Sequence, residues 1–88
     1  MRFRTTLWKY PGKGGWTFAL VPLRHAPPVT HPWGRTPVHA RVDGREYETS
    51  VWRDETHGCL LPVPRRVRGD LAAGAEVEVE LSPPEDGR

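Results

Sequence analysis

Apolar and polar residues alternate along most of this chain with a period of two, the mark of strands with one face in a core. Over residues 3–10, Phe3, Thr5 and Leu7 share one face and Arg4, Thr6 and Trp8 the other. Residues 16–21 alternate again, grouping Trp16, Phe18 and Leu20. The Gly-rich stretch 11–15 between these runs predicts a hairpin. Val38, Ala40 and Val42 oppose His39 and Arg41, and Asp43-Gly44 follows. Both residues of that dipeptide take positive φ readily, so it signals a two-residue hairpin turn. Residues 45–52 return, with Tyr47, Thr49 and Val51 on one side. A polar loop over 53–58 leads to the short apolar strand Cys59-Leu60-Leu61-Pro62-Val63. The cleanest alternation closes the pattern: Val77, Val79 and Leu81 face inward, and Glu76, Glu78 and Glu80 face water.

Two segments break the period. Residues 22–37 carry Pro22, Pro27, Pro28, Pro32 and Pro37. Each lacks a backbone donor, so this is loop or extended connection. Residues 64–71 predict a short helix. Pro64 suits a first turn and Val67 stacks on Leu71 at i, i+4. The expected fold is mostly β: about six short strands that curl into a small barrel, with one short helix. Residues 1–82 form one domain on this reading, and 83–88 a flexible polar tail.

Composition narrows the class. The chain has 88 residues and 10.0 kDa, too small for a second core. No apolar run approaches the roughly 18 residues of a membrane span. Nine Gly and ten Pro interrupt any long helix, and four Trp with the Val/Leu alternation argue against disorder. The formal charge of +2 hides an asymmetry. Residues 1–69 hold twelve Lys/Arg against five Asp/Glu, or +7, and residues 70–88 one Arg against six acids, or −5. Eleven of the 13 basic residues are Arg, which favours bidentate or stacking contacts. The lone Cys59 permits no internal disulfide and fits a reducing compartment. The first residues lack the apolar stretch of a secretory signal, so the expected location is cytoplasmic.

Few residues are arranged for chemistry. Gly12-Lys13-Gly14-Gly15 lacks the Ser/Thr and helix of a phosphate loop and reads as a hairpin turn. His25, His31, His39 and His57-Gly58-Cys59 supply metal-ligand types without paired zinc spacing. Cys59 precedes Leu60-Leu61 at a strand start, the setting of an inert thiol. Glu76, Glu78 and Glu80 read as a solvated face, and Thr49-Ser50 has no adjacent base. No catalytic residue, metal or cofactor is assigned. The densest basic patch is Arg65, Arg66 and Arg68, with Arg41 and Arg45 nearby, and it suits phosphates. Trp8 and Trp16 read as core. Trp33 and Trp52 lie by loops and suit an aromatic ligand. The candidate ligand residues are Trp16, Trp33, Trp52, Thr49 and Ser50.

Several segments together resemble the domain-of-unknown-function family 1905, a group of small bacterial proteins, over roughly residues 3–81. They are Leu7-Trp8 before the Gly-rich turn, Gly14-Gly15-Trp16-Thr17-Phe18 with Pro22, and Pro37 through Gly44. Thr49-Ser50-Val51-Trp52, Leu60-Leu61-Pro62-Val63, Val67-Arg68 and Gly74 before Val77-Glu78-Val79 complete them. The resemblance implies a split β-barrel capped by short helices and no established activity. Two departures stand out: Pro64 replaces a Lys usual after the Leu-Pro-Val segment, and residues 23–32 are rich in Pro and His where the family tends to a helix. Residues 61–81 are also similar to AbrB/MazE-like DNA-binding domains, which build a barrel from two chains.

The reading is a binding or interaction module without catalysis. One alternative is DNA or RNA binding through the arginine patch. Another is a small-molecule carrier or small enzyme whose barrel-mouth pocket is lined by Trp16, Trp33 and Trp52. The candidate partners are a nucleic acid or a small aromatic ligand, not a membrane, with the chain a monomer or small homo-oligomer.

Overall fold

The computed structural model describes residues 1–11 and 15–84. The strands are β1 (Arg2–Lys9), β2 (Thr17–Val21), β3 (Arg35–Val42), β4 (Arg45–Asp54), β5 (Gly58–Pro62) and β6 (Glu76–Ser82), with one helical turn α1 (Arg65–Arg68). They form a closed antiparallel barrel in the order β1-β2-β5-β4-β3-β6. Among the described residues, no helix is long and apolar enough to cross a membrane.

Closure comes from β6, which pairs on both edges. Phe3 of β1 lies opposite Val79, and on the other side Ala40 of β3 lies opposite Leu81 and Val42 opposite Val79. Val77, Val79 and Leu81 are all buried, so one inward row joins the first strand to the third. The period of two holds on β1, β3, β4 and β6: Phe3, Leu7, Val38, Val42, Tyr47 and Val51 all enter the core.

On β2 the faces are the reverse of the expected ones. Thr17, Ala19 and Val21 point in, while Phe18 and Leu20 lie outside and Trp16 is 61% exposed. Trp8 also stands on the outer wall, against Phe18 at 6.4 Å. The cause is volume. A barrel of six strands has a narrow bore, filled here by Val, Leu and the fully buried Ala19 and Ala40. Either face of residues 16–21 is apolar enough to bury, and the smaller set fits.

Closure also brings the basic and acidic parts of the chain together. Glu76 pairs with Arg4 at 2.8 Å, and Glu80 lies 3.5 Å from Arg2 and 3.6 Å from Arg41. Arg41 reaches Glu46 at 3.0 Å, and His39 sits between Glu46 and Glu48. The outward glutamates of β6 are therefore a charge seam across β1 and β3 rather than a merely solvated face. Each exposed pair contributes little alone. Together they cancel much of the asymmetry seen along the sequence.

The connections are specific. At the tip of the β3–β4 hairpin, Asp43 and Gly44 have φ of 47° and 87°, as a type I′ turn requires. Asp43 then binds β6, its N–H donating to the Glu78 carbonyl and its Oδ1 accepting from the Glu78 N–H at 2.8 Å. Residues 22–34 strap one end of the barrel. The His25 ring stacks on Phe3 at 5.3 Å, and the Thr36 hydroxyl donates to the Pro28 carbonyl at 2.8 Å. The strap closes in a turn at Trp33 and Gly34, with φ of 69° and 71°. A Cβ on Gly34 would lie 2.5 Å from the Arg53 carbonyl oxygen.

The expected helix over 64–71 is shorter. Val67 is buried, but the helix ends at Gly69 with φ of 59°, and Leu71 is exposed instead of stacking on Val67. Of the expected tail, Pro83 and Pro84 are described and residues 85–88 lie outside the described residues.

Two stability predictions follow from this packing. Leu61→Ala, at a fully buried position, lowers the unfolding free energy by about 2–5 kcal/mol in a denaturant titration. Gly34→Ala costs more than Gly44→Ala. Both place a side chain at positive φ, for roughly 1–2 kcal/mol, but a Cβ on Gly44 meets nothing within 4 Å. Equal costs would contradict the close approach to Arg53.

Candidate functional site

Strand parity on β4 sends Tyr47 and Val51 inward and Glu48, Ser50 and Trp52 outward. The register sets Pro37 of β3 beside Ser50, and Arg35 beside Trp52. On the other flank Leu60 of β5 pairs with Trp52, and Pro62 pairs with Phe18 of β2. Trp16, just before β2, completes the wall. The result is an outer groove of about 590 Å³ lined by Trp16, Trp52, Arg35, Glu48, Thr49 and Ser50 over a floor that includes Pro37 and Pro62. Arg35 Nη1 donates to Ser50 Oγ at 3.4 Å. The groove thus offers two indoles at its sides with hydroxyl, guanidinium and carboxylate groups between them.

Four of the five expected ligand residues meet here: Trp16, Trp52, Thr49 and Ser50. Trp33 does not. It is 88% exposed at the tip of the strap turn. The expected aromatic barrel mouth is accordingly corrected. Trp8, Trp16 and Trp52 lie on the outer wall, and the residues lining the mouth include five prolines and no tryptophan.

An aromatic surface extends from the groove. Trp16 stacks on Phe18 at 6.5 Å, and beyond Phe18 lie Trp8, Tyr10 and His57. The His57 ring lies 5.0 Å from both Trp8 and Tyr10. Its Nδ1 donates to Asp54 Oδ2 at 3.0 Å, and Asp54 Oδ1 accepts from the backbone N–H groups of Thr56 and His57. His57 is far in sequence from Trp8 and Tyr10, which are neighbours at i, i+2, and no spacing rule joins it to them.

The arginine patch is partly committed within the molecule. Arg45 donates to the Val67 carbonyl at 3.1 Å and Arg68 to the Val63 carbonyl at 3.5 Å. The Arg66 guanidinium lies over the Tyr47 ring at 5.9 Å, and Arg41 belongs to the charge seam. Arg65 is exposed on α1. The Tyr47 hydroxyl donates to the Pro62 carbonyl at 2.7 Å, and burial raises its pKa strongly.

The remaining chemistry-bearing residues do not converge. Among the described residues, no group of three or more His, Cys, Asp or Glu is placed to hold a metal ion. Cys59 is buried in the core, and burial pushes its thiol pKa up, against thiolate chemistry. Of the Gly-rich turn, residues 12–14 lie outside the described residues.

Asp54 sets a pH dependence. The hydrogen bond from His57, then those from the Thr56 and His57 backbone, hold its carboxyl below the ordinary value of 3.8. A depressed carboxyl contributes stability above its unfolded pKa and loses it as pH falls through the folded value. Asp54→Asn therefore gives a shallower fall of Tm below pH about 4 than the parent chain. Parallel acid limbs would contradict this role.

No curated protein matches the chain. Residues 3–81 match a family model described as a domain of unknown function, DUF1905. That span covers most of the closed barrel and the groove residues on it, and the chain belongs to this family.

Proposed function

We propose that this chain is a non-catalytic binding module that takes a small planar aromatic ligand in the groove between Trp16 and Trp52. The observation that carries this reading is the convergence of two exposed indoles on a groove that also holds Arg35, Glu48 and Ser50. Large apolar side chains held in water at the rim of a concavity mark contact surfaces. Each indole offers a π-face, and stacking a base on such a face contributes about 1–3 kcal/mol. Arg35 and Ser50 supply donors that orient the edge of a stacked ring. The commitments of the other groups support the absence of catalysis: the thiol is interior, His39 is engaged by Glu46 and Glu48, and His57 by Asp54.

A second reading, nucleic-acid binding at α1, is favoured by Arg65 and Arg66, which form no ion pair among the described residues. The similarity of residues 61–81 to DNA-binding hairpin domains points the same way. On this reading the chain is retained on heparin at about 50 mM salt, and retention falls steeply as salt rises. Arg65→Ala with Arg66→Ala abolishes it. Free passage of the parent chain would remove this reading.

Adenosine serves as the probe for the groove. In a titration followed by the indole N–H resonances, those of Trp16 and Trp52 shift together while that of Trp33 stays fixed. Trp52→Ala weakens adenosine binding at least about fivefold, the equivalent of one lost stacking contact of about 1 kcal/mol. An unshifted Trp16/Trp52 pair, or unchanged affinity in a folded Trp52→Ala variant, would overturn the proposal.

A further inference from the structure

We infer that the mouth of the barrel is a second binding site, built for a compact, uncharged, largely apolar molecule. At the end where β3 begins and β6 finishes, the inward side chains of Val38 and Leu81 close the bore. The strap passes above them on one side and Pro83-Pro84 on the other. Between lies a pocket of about 610 Å³. Sites for small organic ligands span about 300–1,000 Å³.

The walls define the guest. Pro27, Pro28, Pro37, Pro83 and Pro84 line the pocket with rigid apolar rings. Proline has no N–H, so these walls present carbonyl acceptors but no backbone donors. The polar side chains are few and mostly engaged. The Thr36 hydroxyl is bound to the Pro28 carbonyl, and Thr30 contacts the His31 ring at 2.8 Å. Among the described residues, no Asp, Glu, Lys or Arg side chain lines the pocket. The Met1 ammonium, which also borders the pocket, is already bound to the Leu81 carbonyl at 3.3 Å, so an anion would have to displace that contact, and a cation would find no carboxylate. Burial of either without a partner is costly. A neutral ring system with at most one N–H or O–H donor meets walls that are mainly apolar.

The pocket is also preformed. Thr36 pins the strap at Pro28, and Arg53 Nη2 reaches the Pro27 carbonyl at 3.4 Å. Prolines in the walls have little conformational freedom to lose, so little ordering accompanies binding. The pocket touches the tryptophan groove only at the ridge of Pro37 and Pro84. The two sites are therefore separable, and this inference does not depend on the groove.

A matched pair of dyes tests it on the intact chain. N-phenylnaphthylamine is neutral and carries one N–H; anilinonaphthalene sulfonate adds a negative charge to the same ring system. The neutral dye binds saturably and one to one with a rise in fluorescence, and the sulfonate binds at least about tenfold more weakly. Ala26→Trp, which fills the pocket from its strap side, reduces binding of the neutral dye at least about tenfold. In the parent chain, whether or not that variant folds, the dye shifts the methyl resonances of Ala26, Val38 and Leu81. Absence of binding, equal affinity for the two dyes, or unmoved methyls with shifted Trp16 and Trp52 indoles would each overturn the site.

Discussion

The bore of this barrel is narrow, and most features of the molecule depend on that constraint. Closing the barrel through β6 packs Val77, Val79 and Leu81 against Phe3, Ala40 and Val42. What remains inside admits Ala19 and Ala40 but no tryptophan. Trp8, Trp16 and Trp52 are consequently displaced to the outer wall. Concavities form there, or at the mouth, because the interior is full.

The same closure organises charge. Along the chain the basic part precedes the acidic part, and an extended reading suggests a cationic surface available to phosphates. In the folded chain β6 lies between β1 and β3, so Glu76 meets Arg4 and Glu80 meets Arg2 and Arg41. Arg45 and Arg68 bind carbonyls around α1. The hydrogen bonds from His39 and Arg41 depress the Glu46 carboxyl, which keeps that part of the seam charged into mildly acidic conditions. These exposed pairs add little stability individually. Their consequence is that Arg2, Arg4 and Arg41 are engaged within the molecule, while Arg65 and Arg66 form no ion pair among the described residues.

The fold was legible where one parity is apolar and the other polar. Val77, Val79 and Leu81 against three glutamates leave one orientation, and Asp43-Gly44 leaves one turn. Residues 16–21 carry apolar groups on both parities, so alternation alone cannot orient them. The competition between Trp16/Phe18/Leu20 and Thr17/Ala19/Val21 is decided by the volume of a bore that exists only after closure. The groove was legible in part. Trp52, Thr49 and Ser50 are neighbours on one strand, and a tryptophan near a loop suggests contact. Trp33 misled because a loop position says nothing about direction, and it stands exposed at the strap turn, outside the groove. Arg35, Pro37 and Pro62 enter only through strand register. The mouth pocket was illegible because its walls come from four separate segments, at Met1, in the strap, at the start of β3 and at the end of β6.

Hydrogen exchange along β6 tests the central claim, that the last strand closes a filled barrel on which both concavities rest. If it does, β6 amides bonded to β1 and β3 exchange only through global unfolding, with the same opening free energy as the buried part of β3. Exchange of β6 at a distinctly lower free energy, with β3 and β4 still protected, would show a separable strand and an open sheet, and would contradict the account.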